Sequence, residues 1–276
     1  MRVLTPHCLS EALDLLAGDA TLTPVAGGTD LLVSWPHRPK DNLSLLDLSR
    51  LHAELAPMRM TDGHLELGAL TTYWDVITYA PIAGEFPLLI DAARQVGAIQ
   101  IQTRGTWAGN VANASPAADG VPVMIAYDAE VVLGSRRGRR TVPLCDYYTG
   151  YKQTRRAADE LILAIRLPRQ RRDVHWFHKV GARQAQAITK VGVAVVHGEA
   201  GWRVVANSVA PFVCRCRNME AALESGLHPT GPEELRAIVV RDISPIDDLR
   251  STADYRLNVL ARLLYFAPFM PGPANA

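Results

Sequence analysis

The spacing of apolar positions divides the chain into two parts that differ in their order of helices and strands. In the first part, residues 9–16 carry apolar side chains at helical intervals, and residues 22–26 form a short apolar run that ends in Gly27 and Gly28. A strand that runs into a double glycine is a common way to present backbone amides to a ligand. The other elements predicted here are strands at 43–48, 64–68, 99–101 and 161–167, helices at 71–80 and 87–96, a compact apolar segment at 121–127, and a β-hairpin of residues 130–133 and 141–144.

In the second part, three strands precede three helices. Strands are predicted at 174–179, 190–196 and 202–209, and helices at 218–223, 233–240 and 255–265. This order is typical of an α+β domain that carries its helices on one face of an antiparallel sheet. The arginine- and glutamine-rich stretch 169–172 is the predicted linker between the two parts.

Size and charge limit the function classes. A chain of 276 residues with 48% apolar side chains can bury a large core and favours two domains. Its formal net charge of +1 gives no general attraction to nucleic acid or to an acidic membrane. The longest apolar stretches, such as 191–196, fall far short of the roughly 20 residues of a membrane span, and the N-terminus lacks the order of a signal peptide. We therefore expect a soluble, cytoplasmic protein.

The cysteines and histidines predict no metal site. Cys8, Cys145, Cys214 and Cys216 form neither a CxxC pair nor a zinc-like pattern, and we interpret them as reduced structural thiols. It follows that this chain is expected to bind no iron–sulfur cluster itself.

The basic run at 136–140 lies between two predicted strands without aromatic neighbours, so it is interpreted as a solvated hairpin turn rather than a nucleic-acid contact.

Two polar segments built from small residues carry the candidate chemistry. They are VAGGTD at 25–30 and TRGTWAGNVANASPAAD at 103–119. Consecutive amides in a glycine turn form a concave nest that binds phosphate oxygens. Neither segment has the spacing of a nicotinamide-binding Rossmann turn or of a P-loop. A double glycine after a strand is often only a structural turn, but the two segments together favour one large dinucleotide-like ligand that is held at two points.

Four segments of the sequence resemble the FAD-binding medium subunit of the molybdenum hydroxylases, the xanthine dehydrogenase and CO dehydrogenase flavoprotein family. They are VAGGTDLL, TRGTWAGNVANASPAADGVPVMIAYDAEV, YYTGYKQTRRAADELILAIRLP and KVGARQAQAITKVGVAV, and the resemblance extends to about residue 266. It implies an α+β protein with a two-lobed FAD-binding domain of the vanillyl-alcohol oxidase (PCMH) type at 1–170, with lobes at about 1–56 and 57–170. A smaller CO dehydrogenase flavoprotein-like α+β domain, with an antiparallel sheet and helices, would follow at 173–276.

The resemblance also implies partners and a redox role. Such subunits lie beside a small subunit with two [2Fe–2S] clusters and a large subunit that carries molybdopterin, in a dimer of heterotrimers. Substrate is hydroxylated at molybdenum, and electrons pass through the clusters to FAD and then to an external acceptor such as NAD⁺ or a quinone. The expected chain is thus an FAD-dependent oxidoreductase subunit that contributes no catalytic residue beyond its bound FAD. It lacks the inserted cysteine-bearing segment of the 4-hydroxybenzoyl-CoA reductases, which favours the ordinary hydroxylase arrangement.

The resemblance assigns two phosphate-side turns to the cofactor. The first consists of Val25, Ala26, Gly27, Gly28, Thr29, Asp30 and Leu31, with the two glycines closest to the pyrophosphate. The second consists of Thr106, Trp107, Ala108, Gly109 and Asn110. The family usually has glycine where this chain has Ala108. Alanine there costs little if φ is negative, and about 1 kcal/mol or more if the backbone must adopt positive φ.

Five further residues match family positions around the cofactor. Ser115 and Asp119 match residues that hold its polar groups, and Ile162 matches a residue that touches it through the backbone. Lys179 matches a lysine near the flavin, where a cation stabilises the negative charge that develops at N1 on reduction. Ile188 matches an apolar residue that lies against the isoalloxazine.

Simpler interpretations of these residues stay open. Thr106 and Ser115 could cap local turns, Asp119 could cap the helix that begins near residue 121, and Lys179 could face solvent. Trp107 either lies near the flavin or fills the gap between lobes.

Two other functions also remain possible. One is a free-standing FAD-dependent oxidoreductase of the wider superfamily, and the other is an assembly subunit that has lost its flavin.

Overall fold

A small parallel sheet opens the fold and delivers the first polar turn. The structure is a computed structural model that describes residues 1–33 and 43–270. In this part of the chain β3 lies between β1 and β2, and both neighbours pair with it in parallel. The strands are β1 (Arg2–Leu4), β2 (Thr23–Val25) and β3 (Ser44–Asp47), and α1 (Leu9–Gly18) connects the first two. The predicted helix at 9–16 and strand at 22–26 are confirmed, and β2 ends where the glycine turn begins.

The second lobe is built on an antiparallel sheet in the order β4-β5-β10-β6-β7. Its strands are β4 (Met58–Met60), β5 (His64–Gly68), β6 (Glu130–Ser135), β7 (Gly138–Pro143) and β10 (Leu161–Pro168). Between β7 and β10 the short strands β8 (Tyr148–Gly150) and β9 (Gln153–Thr154) pair with each other. The predicted hairpin is confirmed as β6 and β7, and the basic run occupies its turn and the exposed start of β7.

Helices cover this sheet and surround the second polar segment. They are α2 (His52–Leu55), α3 (Tyr73–Thr78), α4 (Pro87–Gln95), α5 (Ile99–Gln102), α6 (Trp107–Asn113) and α7 (Gly120–Ala126). The strand predicted at 99–101 is wrong, because these residues form α5. The carbonyl of Ala98 accepts from the amides of Ile101 and Gln102, and the Gln102 side chain donates to two carbonyls at the end of α4. The alternating pattern of residues 99–101 is too short to predict a helical turn that is stabilised by contacts with a neighbouring helix.

The C-terminal part has the predicted order of strands before helices. The antiparallel sheet consists, in spatial order, of β11 (Arg172–Val180), β12 (Val191–Gly198), β13 (Arg203–Asn207) and β14 (Cys214–Arg215). It is followed by α8 (Arg217–Glu224), α9 (Pro232–Val239) and α10 (Ala253–Tyr265). Buried valines of β12 and β13 pack with apolar residues of α9 and α10, so the helices cover one face of the sheet. None of the helices within the described ranges combines the length and apolar character needed to cross a membrane.

The two parts share an apolar interface. Ala194, Val196 and Val205 of the C-terminal sheet belong to the same buried cluster as α7. The predicted linker is held against the first part: Arg169 forms an ion pair with Glu85, and the Arg172 guanidinium lies over the Tyr127 ring at 5.0 Å. The other face of the sheet therefore packs on the second lobe, and the loops between β11, β12 and β13 reach the second polar segment.

Candidate cofactor-binding site

A cavity of about 580 Å³ separates the first polar turn from the start of α6. Its wall comes from the end of β2, the turn that follows it, the first turn of α6 and the beginning of β10. A volume of this size lies within the usual range of about 300–1,000 Å³ for small-molecule sites. The fold thus brings together two segments that lie far apart in the sequence, as their composition predicted.

The first turn lines this cavity with residues whose amides have no acceptor in the described chain. Gly28 has φ +72°, in the left-handed region that favours glycine. A Cβ added to Gly27 would lie 1.7 Å from the Arg104 carbonyl oxygen, so only glycine permits the turn to touch the chain that leads into α6. Within residues 1–33 and 43–270, the amides of Gly27, Gly28, Thr29 and Asp30 have no hydrogen-bond acceptor. These amides are available to an anion.

The second turn is the capped start of α6. The Thr106 hydroxyl accepts from the Gly109 amide at 2.9 Å, which makes Thr106 the N-cap of this helix. Ala108 is helical and is absent from the non-glycine residues with positive φ in the described chain, so the strain considered for alanine does not arise. The Ala108 amide has no acceptor in the same part of the chain, and Asn110 Oδ1 is buried without a partner.

A hydrogen-bonded chain of side chains joins the two turns at the cavity wall. Asn113 Nδ2, at the end of α6, donates to Asp30 Oδ1 at 3.0 Å, and Lys152 Nζ donates to Asn113 Oδ1 at 2.7 Å. Lys152 lies in the turn between β8 and β9 and has φ +56°, an uncommon conformation for lysine. Sequence reasoning missed Asn113 and Lys152 as site residues, although both lie inside the segments that carry the family resemblance.

Ile162 also lines the cavity, whereas five other predicted site residues do not. Ile162 lies in β10, where the pairing with β6 shifts register between Ile162 and Ala164. A bulge of this kind changes the direction of a strand and is common next to functional sites. The residues outside the wall are Trp107, Ser115, Asp119, Lys179 and Ile188.

Asp119 and Lys179 form a buried ion pair and are not among the residues that line the cavity. Lys179 Nζ donates to Asp119 Oδ2 at 2.6 Å and to the carbonyl of Gln95 at 2.9 Å, and the Thr189 hydroxyl donates to Asp119 Oδ1. Burial raises the pKa of Asp119, and the Lys179 ammonium and the Thr189 hydroxyl oppose this effect. Asp119 makes no side-chain cap to α7, and only 7% of the Lys179 side chain is exposed. The capping and solvent-facing interpretations of these two residues are therefore wrong.

The remaining predicted residues have different environments. Trp107 is fully buried, with its ring 5.1 Å from that of Tyr73, and it packs under Gly120, so it fills the interior of the second lobe. Ser115 accepts from the Ala117 amide and thus caps a local turn. Ile188 is 65% exposed on the connection between β11 and β12.

Comparison with known families identifies the architecture. Residues 1–170 match the model of the FAD-binding domain in molybdopterin dehydrogenase, and residues 176–267 match that of the CO dehydrogenase flavoprotein C-terminal domain. This chain belongs to the FAD-binding medium subunits of the molybdenum hydroxylases. It is accordingly an FAD-dependent oxidoreductase subunit, and its two-domain α+β fold agrees with the predicted class.

Several members of this medium-subunit family are similar to the chain over most of its length. A xanthine dehydrogenase FAD-binding subunit from Escherichia coli O157:H7 is 29% identical over 265 residues, which cover 91% of this chain and 89% of the relative. The nicotinate dehydrogenase FAD-subunit of Eubacterium barkeri is 35% identical over 206 residues, with coverages of 71% and 69%. The structure of carbon monoxide dehydrogenase from Hydrogenophaga pseudoflava, lacking the Mo-pyranopterin moiety, matches with a TM-score of 0.85 and 28% identity, over 96% of this chain and 94% of the other.

The residues of this medium subunit fit FAD. The free amides of the first turn and of Ala108 offer donors to a pyrophosphate, and Gly27 leaves no side chain between the turn and its neighbour. The orphaned Asn110 Oδ1 can accept a hydrogen bond from a bound group. The apolar wall around Val96, Ile101 and Ile162 suits a flat aromatic ring.

Proposed function

We propose that this chain is the electron-transfer subunit of a heteromeric molybdenum hydroxylase of the xanthine dehydrogenase type. In this role it receives electrons from [2Fe–2S] clusters of a small partner subunit and passes them through FAD to an external acceptor such as NAD⁺ or a quinone. A large partner subunit would carry the molybdopterin. The names of the relatives, which include xanthine and nicotinate dehydrogenase subunits, support this assignment.

The observation that carries the proposal is the convergence of two polar turns on one cavity. The amides of Gly27, Gly28, Thr29 and Asp30 would hold the pyrophosphate, and the Ala108 amide would add a donor from the other side. Backbone N–H groups at such turns bind phosphate without the conformational cost of ordering long side chains. Bound FAD would supply the two-electron redox chemistry of the subunit.

The side chains of the cavity would orient the cofactor and exclude water. Lys152 is held by Asn113, so its charge lies at a fixed position beside the two turns. Leu161 and Ile162 form part of the apolar wall, which removes water from the surface of a flat ring.

The cofactor assignments of the five residues outside the wall, Trp107, Ser115, Asp119, Lys179 and Ile188, remain proposals. Lys179 donates to the carbonyl of Gln95, the neighbour of the lining residue Val96, and Asp119 raises the pKa of the lining residue Tyr73, so this ion pair can influence the potential in the cavity. Ile188, exposed on its loop, would contact the flavin only if that loop approaches the cavity. We also propose a cytoplasmic location and a dimer of heterotrimers.

Purification of the full chain alone and with its partners tests the proposal. We expect the isolated chain to take up FAD in equal molar amount, seen as flavin absorbance that remains after gel filtration. In the native complex, substrate should reduce this flavin only when the iron–sulfur and molybdopterin subunits are present. A chain that takes up no FAD would indicate the flavin-free assembly subunit, and substrate oxidation by the lone holoprotein would indicate a free-standing oxidoreductase.

A further inference from the structure

The C-terminal domain holds the segment that connects α6 to α7 at several points. In addition to the bonds that Lys179 and Thr189 make to Asp119, Asn207 Nδ2 donates to the Ala118 carbonyl at 2.8 Å. The amide of Ser208 donates to the carbonyl of residue 116 at 2.7 Å. Each of these donors lies on β11, β13 or the loops beside them, so residues 116–119 are fixed by the second domain.

This segment is directly connected to the cavity. Gly120 follows Asp119, and a Cβ added there would lie 3.0 Å from Asn110 Oδ1 and from the Trp107 ring. Asn110 lines the cavity. The carboxylate of Asp119 also raises the pKa of Tyr73, another lining residue, in addition to the effect of that residue's burial. A movement of Asp119 would therefore reach the cavity through packed side chains.

Thr189 is one of the side-chain donors that orient this carboxylate, together with Lys179 and Asn207. Its side chain is fully buried, and its hydroxyl supplies the hydrogen bond to Asp119 Oδ1, while Lys179 bonds to the other oxygen. The carbonyl of Thr189 accepts from the Ser208 hydroxyl at 3.0 Å, and the Ser208 carbonyl accepts from the buried Arg256. Thr189 is thus held on both sides, and it can hold the carboxylate in one orientation.

We infer that Thr189 is a positioning residue of the FAD site, which acts through Asp119. The inference rests on the proposed function, because it assigns Thr189 to the same cavity. Without the hydroxyl, the Asp119 carboxylate would lose one of its three side-chain donors, Lys179, Thr189 and Asn207, and its negative charge would be less compensated. A less compensated charge disfavours reduced flavin, which is the more negative form.

The test compares Thr189→Val and Thr189→Ser in the full chain, once wild-type protein has been shown to bind FAD. We expect Thr189→Val to weaken FAD binding about tenfold and to lower the ratio of affinities for reduced and oxidised FAD about tenfold, which equals a fall of about 30 mV in the flavin potential. Thr189→Ser, which keeps the hydroxyl, should have the wild-type FAD affinity and flavin potential. Fluorescence titration gives the affinity, and equilibration with a reference dye gives the potential.

Two controls separate positioning from general destabilisation. Thr71 is also fully buried, and its hydroxyl donates to the Ala56 carbonyl at 2.9 Å, so Thr71→Val should lower thermal stability without shifting the potential. In an Asp119→Asn background, Thr189→Val should have little further effect on the potential, since both residues act as one unit.

Wild-type affinity and potential in Thr189→Val would overturn the inference while leaving the proposed function intact. If Thr189→Val does not fold, Thr189→Cys, which keeps the volume and replaces the hydroxyl by a weak donor, takes its place with the same expected shift and the same contrary outcome. A wild-type chain without FAD binding would instead overturn the proposed function.

Discussion

Replacement of Gly27 by alanine tests the contact that brings the two turns together. The added methyl carbon would lie 1.7 Å from the Arg104 carbonyl oxygen and 2.5 Å from its carbonyl carbon. Both obstacles are backbone atoms, so no change of rotamer can relieve the overlap. The turn and the segment that leads into α6 must separate by roughly 1 Å or more before ordinary packing distances return.

The size of the effect follows from what moves. Overpacking against a rigid neighbour costs about 1–3 kcal/mol, and backbone obstacles favour the upper end of this range. The separation also moves the amides of the first turn away from the Ala108 amide. Loss of two hydrogen bonds to a charged phosphate group costs about 3 kcal/mol, so we expect the Kd for FAD to rise about 100-fold.

Calorimetry without FAD and fluorescence titration with FAD measure the two parts of this prediction for Gly27→Ala. Gly18→Ala is the matched control, because no atom lies within 4 Å of an added Cβ at that position, and both values should stay near those of wild type. Gly28→Ala has space for the methyl but needs φ +72°, so it should cost only about 1 kcal/mol of stability. The reasoning is refuted if Gly27→Ala keeps the wild-type melting temperature and FAD affinity.

Further substitutions test the helix start and the second domain. Ala108→Gly should lower the free energy of unfolding by about 1 kcal/mol, because Ala108 is helical. It should change the Kd for FAD less than roughly threefold. A tenfold gain in affinity would show instead that the methyl group of Ala108 obstructs the cofactor. Asp248→Asn should lower the free energy of unfolding by about 2 kcal/mol, because it removes the carboxylate bonded to the buried Arg256 at 2.7 Å. Asp14→Asn, at an exposed ion pair, is the control and should lower it by less than about 0.5 kcal/mol in the same denaturant titration. Although burial opposes it, hydrogen bonds from Arg250 and the charge of Arg256 lower the pKa of Asp248 to about 2. Its contribution to stability is therefore complete above about pH 4 and lost as the pH falls towards 2, so the stabilities of wild type and Asp248→Asn should converge in that window; a constant difference would contradict this.

The local chemistry of the two turns could be predicted from the sequence because it is encoded in adjacent residues. The strand that ends in Gly27 and Gly28 is a short-range pattern and occurs where it was predicted. Thr106 was expected at most to cap a local turn, and the helix that it caps was not predicted. The contact between Gly27 and Arg104 could not be predicted in this way, since it depends on how the first lobe packs against the second.

The missed residues of the site have the same explanation. Asn113 and Lys152 become site residues only because the end of α6 and the turn between β8 and β9 meet at Asp30. A single asparagine or lysine in a polar stretch does not predict that these two segments lie close together in the fold. The burial of Lys179 was likewise unpredictable from its alternating strand, because the covering surface comes from Gln95 and Asp119 in the other domain.

The charges around the cavity explain why the positions of the amides matter so much. The ionisable side chains of the described wall, apart from Tyr73, are two acids, Asp30 and Glu160, and two bases, Lys152 and Arg156, so their formal charges cancel. The whole chain carries only +1, which gives no long-range attraction for an anionic cofactor. The attraction for a pyrophosphate must then come mainly from oriented N–H dipoles, whose effect falls steeply with distance. A site of this kind depends on the close approach of the two turns more than on any single cation. The largest effects on FAD binding are therefore expected at Gly27, which contacts the backbone of Arg104, and at Thr189, through which the second domain holds the Asp119 carboxylate.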